Sequence, residues 1–328
     1  MKRNLKKTIL ALSGLSFCLA SCSNAKISKI TAFQCDTFFE YYDYEEGKIA
    51  SELKEKVDEL EDIFDPYREG SELYRLNEER TGTFSKDLIN CLREALAIQE
   101  ETNGYYNPFM LKLSDEWKCF LDGVTDVPPS EELIDIHLRD INSTSVTILA
   151  DTITITGDAY IDLSAICKGY IIDRLYEYVK DKTDYYLVNG GASSVLLGKK
   201  HSKEEDEECF KVSLLGGKYT LLAKDTTLST SGVSEQYRIY DNKMYSHLIN
   251  PKTGSALVGA TNEVVLMGRD GSKGDALATA FMFMNDAERL AVASLEGFKY
   301  AIYDSTNTFE GWRYMSEGLN IERTKTNK

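Results

Sequence analysis

The hydrophobic period along this chain switches repeatedly between that of a strand and that of a helix, without regular βαβ alternation and without a Pro/Gly/Ser-rich linker. This irregular succession constrains the fold most: it predicts one α+β domain rather than a doubly wound sheet or two separate units. Leu53, Val57, Leu60 and Phe64 recur at helical spacing after Ile49, and Asp65-Pro66 stops that helix. A second helix is expected over about Lys86 to Thr102, with Leu88, Cys91, Leu92, Ala95 and Ile98 on one stripe and Asn103-Gly104 behind it. Further helices are expected from Glu131 after Pro128-Pro129-Ser130, over Asp162 to Lys180, from about Asp275 to Met284, and over Asp286 to Leu295. Ile30 to Tyr44 reads as one long strand turned at Gly47, and Val146 to Thr156 as two short strands around Asp151. Tyr185 to Val188 is a strand, and a later series follows: Phe210 to Leu215, Tyr219 to Ala223, Tyr237 to Tyr240, Met244 to Ile249, Glu263 to Met267, Tyr300 to Tyr303 and Trp312 to Met315.

Composition narrows the function classes. Of 328 residues, 42% are hydrophobic, enough to bury a sizeable core, and 53 acidic against 38 basic residues leave a formal charge of -15. No basic stripe that could follow a nucleic acid backbone is present, so no nucleic acid partner is expected, and a phosphate ligand would need a local site or a metal. His137, His201 and His247 are the only histidines, too few for a histidine-rich metal centre. Past Cys18 and Cys22, the cysteines Cys35, Cys91, Cys119, Cys167 and Cys209 are irregularly spaced without CxxC, which suggests neither a disulfide framework nor a zinc site. The acidic run Glu204 to Glu208 lacks the spacing of a calcium loop and reads as a solvated insert.

At the N-terminus, Lys2, Arg3, Lys6 and Lys7 precede an apolar run, Thr8 to Ala20, that is too short to span a bilayer and reads as a targeting signal over residues 1–21. Leu19-Ala20-Ser21-Cys22 resembles the lipobox of bacterial lipoproteins. The resemblance implies lipidation at Cys22, a tether over residues 22–30, and an extracytoplasmic body held to a bacterial membrane by lipid. The main domain is expected over residues 31–320, with a polar tail over 321–328.

Four tracts could carry chemistry, and each has a plain structural reading beside it. Asp162 and Ser164 open a helix, where free N–H groups favour anions, with Lys168 one turn on. Either Asp162 or Ser164 can equally be an N-cap. Asn189-Gly190-Gly191 after a strand is a tight turn or a backbone approach to a ligand, and it is not a dinucleotide fingerprint. Asp275 and Thr279, at i and i+4, put a carboxylate and a hydroxyl on one helix face. These oxygen donors suit magnesium beside phosphate oxygens, or else a cap and an internal hydroxyl bond. Ser246 to Gly254 is a strand feeding a turn, where His247 is a surface strand residue or, with Lys252, a contact for an anionic ligand.

The chain resembles the ApbE family of FAD:protein FMN transferases. Matching tracts occur in the family's order: Asp36-Thr37, Ser71 to Asn77, Asn103 to Pro108, Ile161 to Tyr170, Leu187 to Gly191, Thr230-Ser231-Gly232, Ser246 to Gly254 and Gly274 to Thr279, together spanning about residues 31 to 318. The resemblance implies a single mixed α/β domain of this type, with an antiparallel sheet and packed helices. It also implies magnesium-dependent transfer of the FMN moiety of FAD to a threonine hydroxyl of a target flavoprotein, with release of AMP. Targets would be FMN-binding domains or subunits of ion-pumping redox complexes. Metal ligands would be Asp275, Thr279 and the backbone carbonyl of Ala165, with Asp275, Thr279, Lys168 and His247 taking part in catalysis. FAD would meet Cys35, Asn107, Asp162, Lys168 and His247, with Gly190, Gly191, Ser231, Lys252 and Thr253 beside them. Two positions depart from the common pattern: Cys35-Asp36-Thr37 stands where Met-Gly-Thr is frequent, and Asn107 where Asp is frequent. The same residues would also suit an FAD pyrophosphatase giving FMN and AMP, or a lipid-anchored flavin-binding protein without catalysis.

Overall fold

The computed structural model describes residues 27–35, 37–44, 48–191, 193–200, 209–304 and 311–324. The chain begins with β1 (Ser28–Gln34), β2 (Thr37–Asp43), α1 (Ile49–Phe64), α2 (Glu72–Glu79), β3 (Thr81–Thr83), α3 (Lys86–Glu101), α4 (Leu111–Leu121) and α5 (Glu131–Ser143). It continues with β4 (Ser145–Leu149), β5 (Thr152–Thr156), α6 (Ser164–Val179), β6 (Tyr186–Gly190), β7 (Ser194–Leu197), β8 (Phe210–Leu214), β9 (Tyr219–Ala223) and β10 (Thr226–Gly232). It closes with β11 (Tyr237–Tyr240), β12 (Lys243–Ser246), β13 (Thr261–Gly268), α7 (Gly271–Phe281), α8 (Asp286–Glu296), β14 (Lys299–Asp304), β15 (Trp312–Met315) and β16 (Asn320–Arg323).

An eight-stranded sheet of order β1-β2-β6-β7-β10-β13-β14-β15 forms the centre, and each neighbouring pair is antiparallel. Smaller antiparallel sheets are β16-β9-β8, β3-β5-β4 and the hairpin β11-β12. This is the expected single α+β domain with an antiparallel sheet and packed helices.

Alternating side chains send the strands of the main sheet into two cores. Val188, Leu196, Val264, Leu266, Tyr300 and Ile302 join the helical side with α1, α3, α6 and α7. Leu187, Val195, Leu197, Val265 and Ala301 pack on the other face against Val212, Leu214 and Leu221 of the β8-β9 pair. A sheet buried on both faces explains the unbroken apolar runs in these strands.

Several boundaries differ from the expectation. Ile30 to Tyr44 is a hairpin rather than one long strand: Gln34 pairs with Thr37, and Cys35 takes a positive φ of 50° in the turn. An apolar-aromatic run cannot reveal such a turn, because neither Gly nor Asn marks it. The β1 strand starts inside the stretch expected as tether, and β16 extends into the expected tail, where Ile321–Arg323 pair with β9. Residues 1–21, Cys22 and the run Glu204 to Glu208 lie outside the described residues. Helix α7 begins at Gly271, not at Asp275, because Asp270 is its N-cap and its side chain accepts from the Lys273 N–H. Asp275 therefore sits in the second turn and is not a cap.

Helices α6 and α7 cross with their backbones in contact. A methyl group on Gly169 would stand 2.0 Å from the Gly271 carbonyl oxygen, and one on Gly271 would stand 2.7 Å from the Gly169 carbonyl. Gly169→Ala is therefore expected to lower stability by about 1–3 kcal/mol through overpacking. A denaturant titration should show an earlier midpoint at unchanged slope.

Candidate functional site

The start of α6 is set from two sides. Buried Asn77 on α2 donates to the Ile161 carbonyl (2.9 Å) and accepts from its N–H (2.7 Å). The Asp162 N–H donates to the Pro108 carbonyl (2.7 Å), so the tract around Asn107 lies beside the entry to the helix. The Asp162 carboxylate accepts from the Ser164 N–H (2.8 Å), satisfying one free donor of the first turn. Asn107 Oδ1 accepts from the Phe109 N–H (2.9 Å), which fixes its own turn.

Helix α7 is held against α6 by a carboxylate at each of two levels. Asp173 of α6 accepts from the N–H groups of Gly271 (2.7 Å) and Ser272 (2.8 Å) at the start of α7. One turn on, Asp275 of α7 accepts from the Gly169 N–H of α6 (2.7 Å). The Asp275 carboxylate also accepts from the Ser194 hydroxyl of β7 (2.8 and 2.7 Å), and Ser229 of β10 bonds to it. On the same face of α7, the Thr279 hydroxyl lies 3.2 Å from the Ser231 hydroxyl. Gly274 lets β10 approach, since a Cβ there would stand 2.6 Å from Ser229 Oγ.

Asn107, Asp162, Ser231, Asp275 and Thr279 line a cavity of about 310 Å³. Asp275 and Thr279 come from α7 and Ser231 from β10, while Ala165 and Lys168 come from the first turns of α6 and Asp162 from the segment just before it. Asn107 and His247 close the other sides, with Tyr105, Tyr106 and Glu235. Eight of the residues singled out in the sequence thus share one cavity. The other five lie outside its lining. Cys35 is in the β1-β2 turn, where its N–H donates to Glu61 (2.9 Å). Gly190 ends β6 against Phe39, and Gly191 follows with φ +67° beside Thr37. Lys252 Nζ stands 3.7 Å from the ring centre of Tyr105, at the rim. Thr253 faces a second cavity, of about 490 Å³, on the other side of the 246–253 segment. Trp117 of α4 anchors that segment by donating to the Gly254 carbonyl (2.8 Å).

Electrostatics follow from burial. Burial raises the Asp275 pKa, and Lys168 together with the hydroxyl and N–H donors opposes the rise. For Lys168, burial pulls downward, but Asp275 leads the opposing charges and the net shift is upward, so it stays cationic. Burial lowers the His247 pKa and Lys168 adds to the effect, against an opposing pull from Glu235. His247 is therefore a neutral imidazole near pH 7, with Nδ1 facing the Gln236 carbonyl at 3.4 Å. A carbonyl only accepts, so the proton belongs on Nδ1 and Nε2 keeps its lone pair.

Sequence reading missed Ser194 and Ser229. Of their strands, β10 was not expected because Thr226 to Gly232 lacks a hydrophobic period, and β7 because it is a run of only four residues, Ser194 to Leu197. Yet Thr227, Ser229 and Ser231 are buried. The available signal was a run of small hydroxyl residues just ahead of the Thr230-Ser231-Gly232 tract.

A family model described as the ApbE family matches residues 29–302. The chain belongs to the ApbE family. Among curated relatives, a FAD:protein FMN transferase of Vibrio cholerae serotype O1 is 24% identical over 260 residues, covering 75% of this chain and 76% of its own. That of Escherichia coli K12 is 25% identical over 297 residues, 81% of each chain. The solved flavin transferase ApbE from Vibrio cholerae superposes with a TM-score of 0.73 at 21% identity, covering 89% of this chain and 98% of that one. The apo form of Pseudomonas stutzeri flavinyl transferase ApbE gives 0.73 at 17% identity, covering 89% and 95%. At these identities the superpositions establish the shared ApbE fold.

The oxygen donors at the cavity suit a hard cation: the Asp275 carboxylate and the Thr279 hydroxyl line it together with Ala165, and no cysteine lines it. No group of three His, Cys, Asp or Glu side chains able to hold a metal is present among the described residues. A cation there would take most of its ligands from substrate and water.

Burial raises Asp173 from an ordinary 3.8 to about 7, against the two N–H donors and with Asp270 and Glu94 adding to the rise. A raised folded-state pKa means that the folded protein holds a proton the unfolded chain has lost. Stability from this group is thus present below about 4 and is lost as pH rises through about 7. Asp173→Asn should remove that slope, as seen in unfolding free energies measured at pH 4 and pH 7.

Proposed function

We propose that this protein transfers the FMN moiety of FAD to a threonine hydroxyl of a target flavoprotein and releases AMP. The observation that supports it best is that Asp275 and Thr279 on α7 and Lys168 on α6 open onto the same cavity in a chain of the ApbE family. The start of α6 and the Lys168 ammonium would hold the diphosphate, because the positive end of a helix and a buried cation favour an anion in a water-poor site. Asn107, Asp162 and the Tyr105-Tyr106 pair would orient the rest of the FAD.

In the transfer, the threonine oxygen forms a bond to the FMN-side phosphorus as the bond to the bridging oxygen breaks, and AMP leaves with that oxygen. The threonine proton goes to Nε2 of neutral His247, whose Nδ1–H is oriented by the Gln236 carbonyl. Asp275, Thr279 and the Ala165 carbonyl would hold magnesium, which when bound draws charge from the phosphate oxygens. Burial of Asp275 gives this a local reason, since a nearby cation favours its ionised form.

Incubating the protein with FAD, magnesium and a recombinant FMN-binding domain tests the reading. Covalent flavin fluorescence and an FMN-sized mass addition on threonine are expected. AMP and free FMN without labelling would make the protein a pyrophosphatase, and unchanged FAD would make it a binding protein. Asp275→Asn and His247→Ala should each lower single-turnover transfer by about a hundredfold or more while FAD still binds. Full transfer by either variant would remove the role given to that residue.

We place this activity outside the cytoplasm, with the protein attached to the membrane through lipid on Cys22. Cys22→Ala should move the protein from the membrane fraction to the soluble fraction, and an unchanged distribution would reject the anchor.

A further inference from the structure

We propose that the target polypeptide docks on the open face and outer edge of the β11-β12 hairpin, beside the mouth of the flavin cavity. This rests on the transferase reading, because only a protein substrate needs such a surface.

The hairpin is built to stand without a third full strand. Its turn residues Asp241 and Asn242 both take positive φ, 48° and 57°, a two-residue turn whose twist matches antiparallel strands. On the β12 side, Tyr245 bridges to Leu257, which leaves β11 as the outer strand. Among the described residues, no strand pairs with that edge. Alternate side chains of β11 serve opposite faces. Arg238 and Tyr240 turn inward: the Arg238 guanidinium lies 4.6 Å from the Phe120 ring centre and donates to the Phe120 (2.6 Å) and Thr125 (2.7 Å) carbonyls. The Tyr240 ring meets Phe120 edge-on at 5.9 Å. Tyr237 and Ile239, on the opposite face, are left 51% and 66% exposed.

Nearby, the loop after α4 exposes Val124 (75%) and Val127 (55%). It is tied to the hairpin through Arg238 and through Gln236, whose amide donates to Asp122 (2.9 Å). Single exposed apolar residues are ordinary, but Tyr237 and Ile239 lie two apart on one face of an edge strand that no described strand covers, where an incoming chain can rest.

Position decides the occupant. Glu235, at the mouth of the flavin cavity, lies two residues before β11, roughly 7 Å of extended chain. His247, the proposed proton acceptor, directly follows β12. A chain lying along β11 therefore passes within reach of the transfer site. On the open face, Tyr237 pairs with Ser246, and Ser246 lines the second cavity, of about 490 Å³. Leu248 lines both that cavity and the flavin cavity. An extended segment that carries the acceptor threonine can add to the free edge as a strand and rest alternate side chains on Tyr237 and Ile239.

The test measures transfer to a recombinant FMN-binding domain at varied acceptor concentration. Ile239→Glu should raise the KM for that domain by about tenfold or more, with kcat at saturation and FAD affinity unchanged. Leu295→Glu, at a residue 84% exposed on α8, should leave KM as it was. Amides of Tyr237 to Tyr240 should gain protection from hydrogen exchange when the acceptor is added. An unchanged KM in Ile239→Glu would overturn the docking surface while leaving the transferase reading intact. A wild-type protein that labels no acceptor would remove both. A wild-type dimer that Ile239→Glu dissociates in sedimentation would assign the face to a second copy instead, and so overturn the proposal.

Discussion

The backbone contact between α6 and α7 is the constraint on which the rest of the site depends. Two glycines, Gly169 and Gly271, let the helices meet with no side chain between them. At that distance carboxylates can cross directly to backbone N–H groups of the other helix. Asp173 reaches the first N–H groups of α7, and Asp275 reaches the Gly169 N–H of α6. The two contacts run in opposite directions, so neither sliding nor rotation of one helix keeps both. Lys168, Asp275 and Thr279 are thereby fixed relative to one another before any ligand arrives.

The sheet beneath this crossing carries an unusual load. A central strand normally presents apolar side chains on both faces when both are covered. Strand β10 instead turns Ser229 and Ser231 toward α7, while Leu228 on its other face packs into the second core. Buried hydroxyls are costly unless bonded. Here the Asp275 carboxylate and the Thr279 hydroxyl accept or share those bonds, and Ser194 of β7 adds another. Removing Asp275 would leave several donors without acceptors, so one carboxylate serves both the packing of β7, β10 and α6 and the wall of the cavity.

The charge of the whole molecule works against an anionic ligand, since the chain carries a formal -15. The cavity answers locally. One cation, Lys168, belongs to the N-terminal turns of α6, and the Asp275 carboxylate beside it is partly compensated by Lys168, two serine hydroxyls and one backbone N–H. Depression of His247 by burial and by Lys168 has the same origin, because a second positive charge is disfavoured where one is already confined. Local arrangement, not net charge, sets what the site can hold.

Much of this was legible in the residues. The helical stripes of α1 and α3 follow from periodicity, because each buries one face against a single core and its apolar residues recur accordingly. The α+β class follows from the irregular order of elements. Most of the residues expected to surround the ligand stood out because they lie in short tracts with strong local grammar, at helix starts and turns, and packing then brings eight of them to one cavity. The rest depended on contacts distant in the chain. Strand β10 gave no hydrophobic signal, since Ser229 and Ser231 on its inner face meet Asp275 and Thr279 rather than apolar neighbours, and the short β7 carries its Ser194 hydroxyl ahead of only three apolar residues. The turn at Cys35 had no Gly or Asn to announce it, and the start of α7 was hidden because glycines open that helix. Which glycine permits a helix crossing, and which cavity Thr253 faces, was decided only when packing brought together elements separated by about a hundred residues of chain. Sequence alone therefore determined the kinds of groups available and their local presentation. Tertiary structure decided which of them could meet, because the close approach of two backbones is a property of both helices at once.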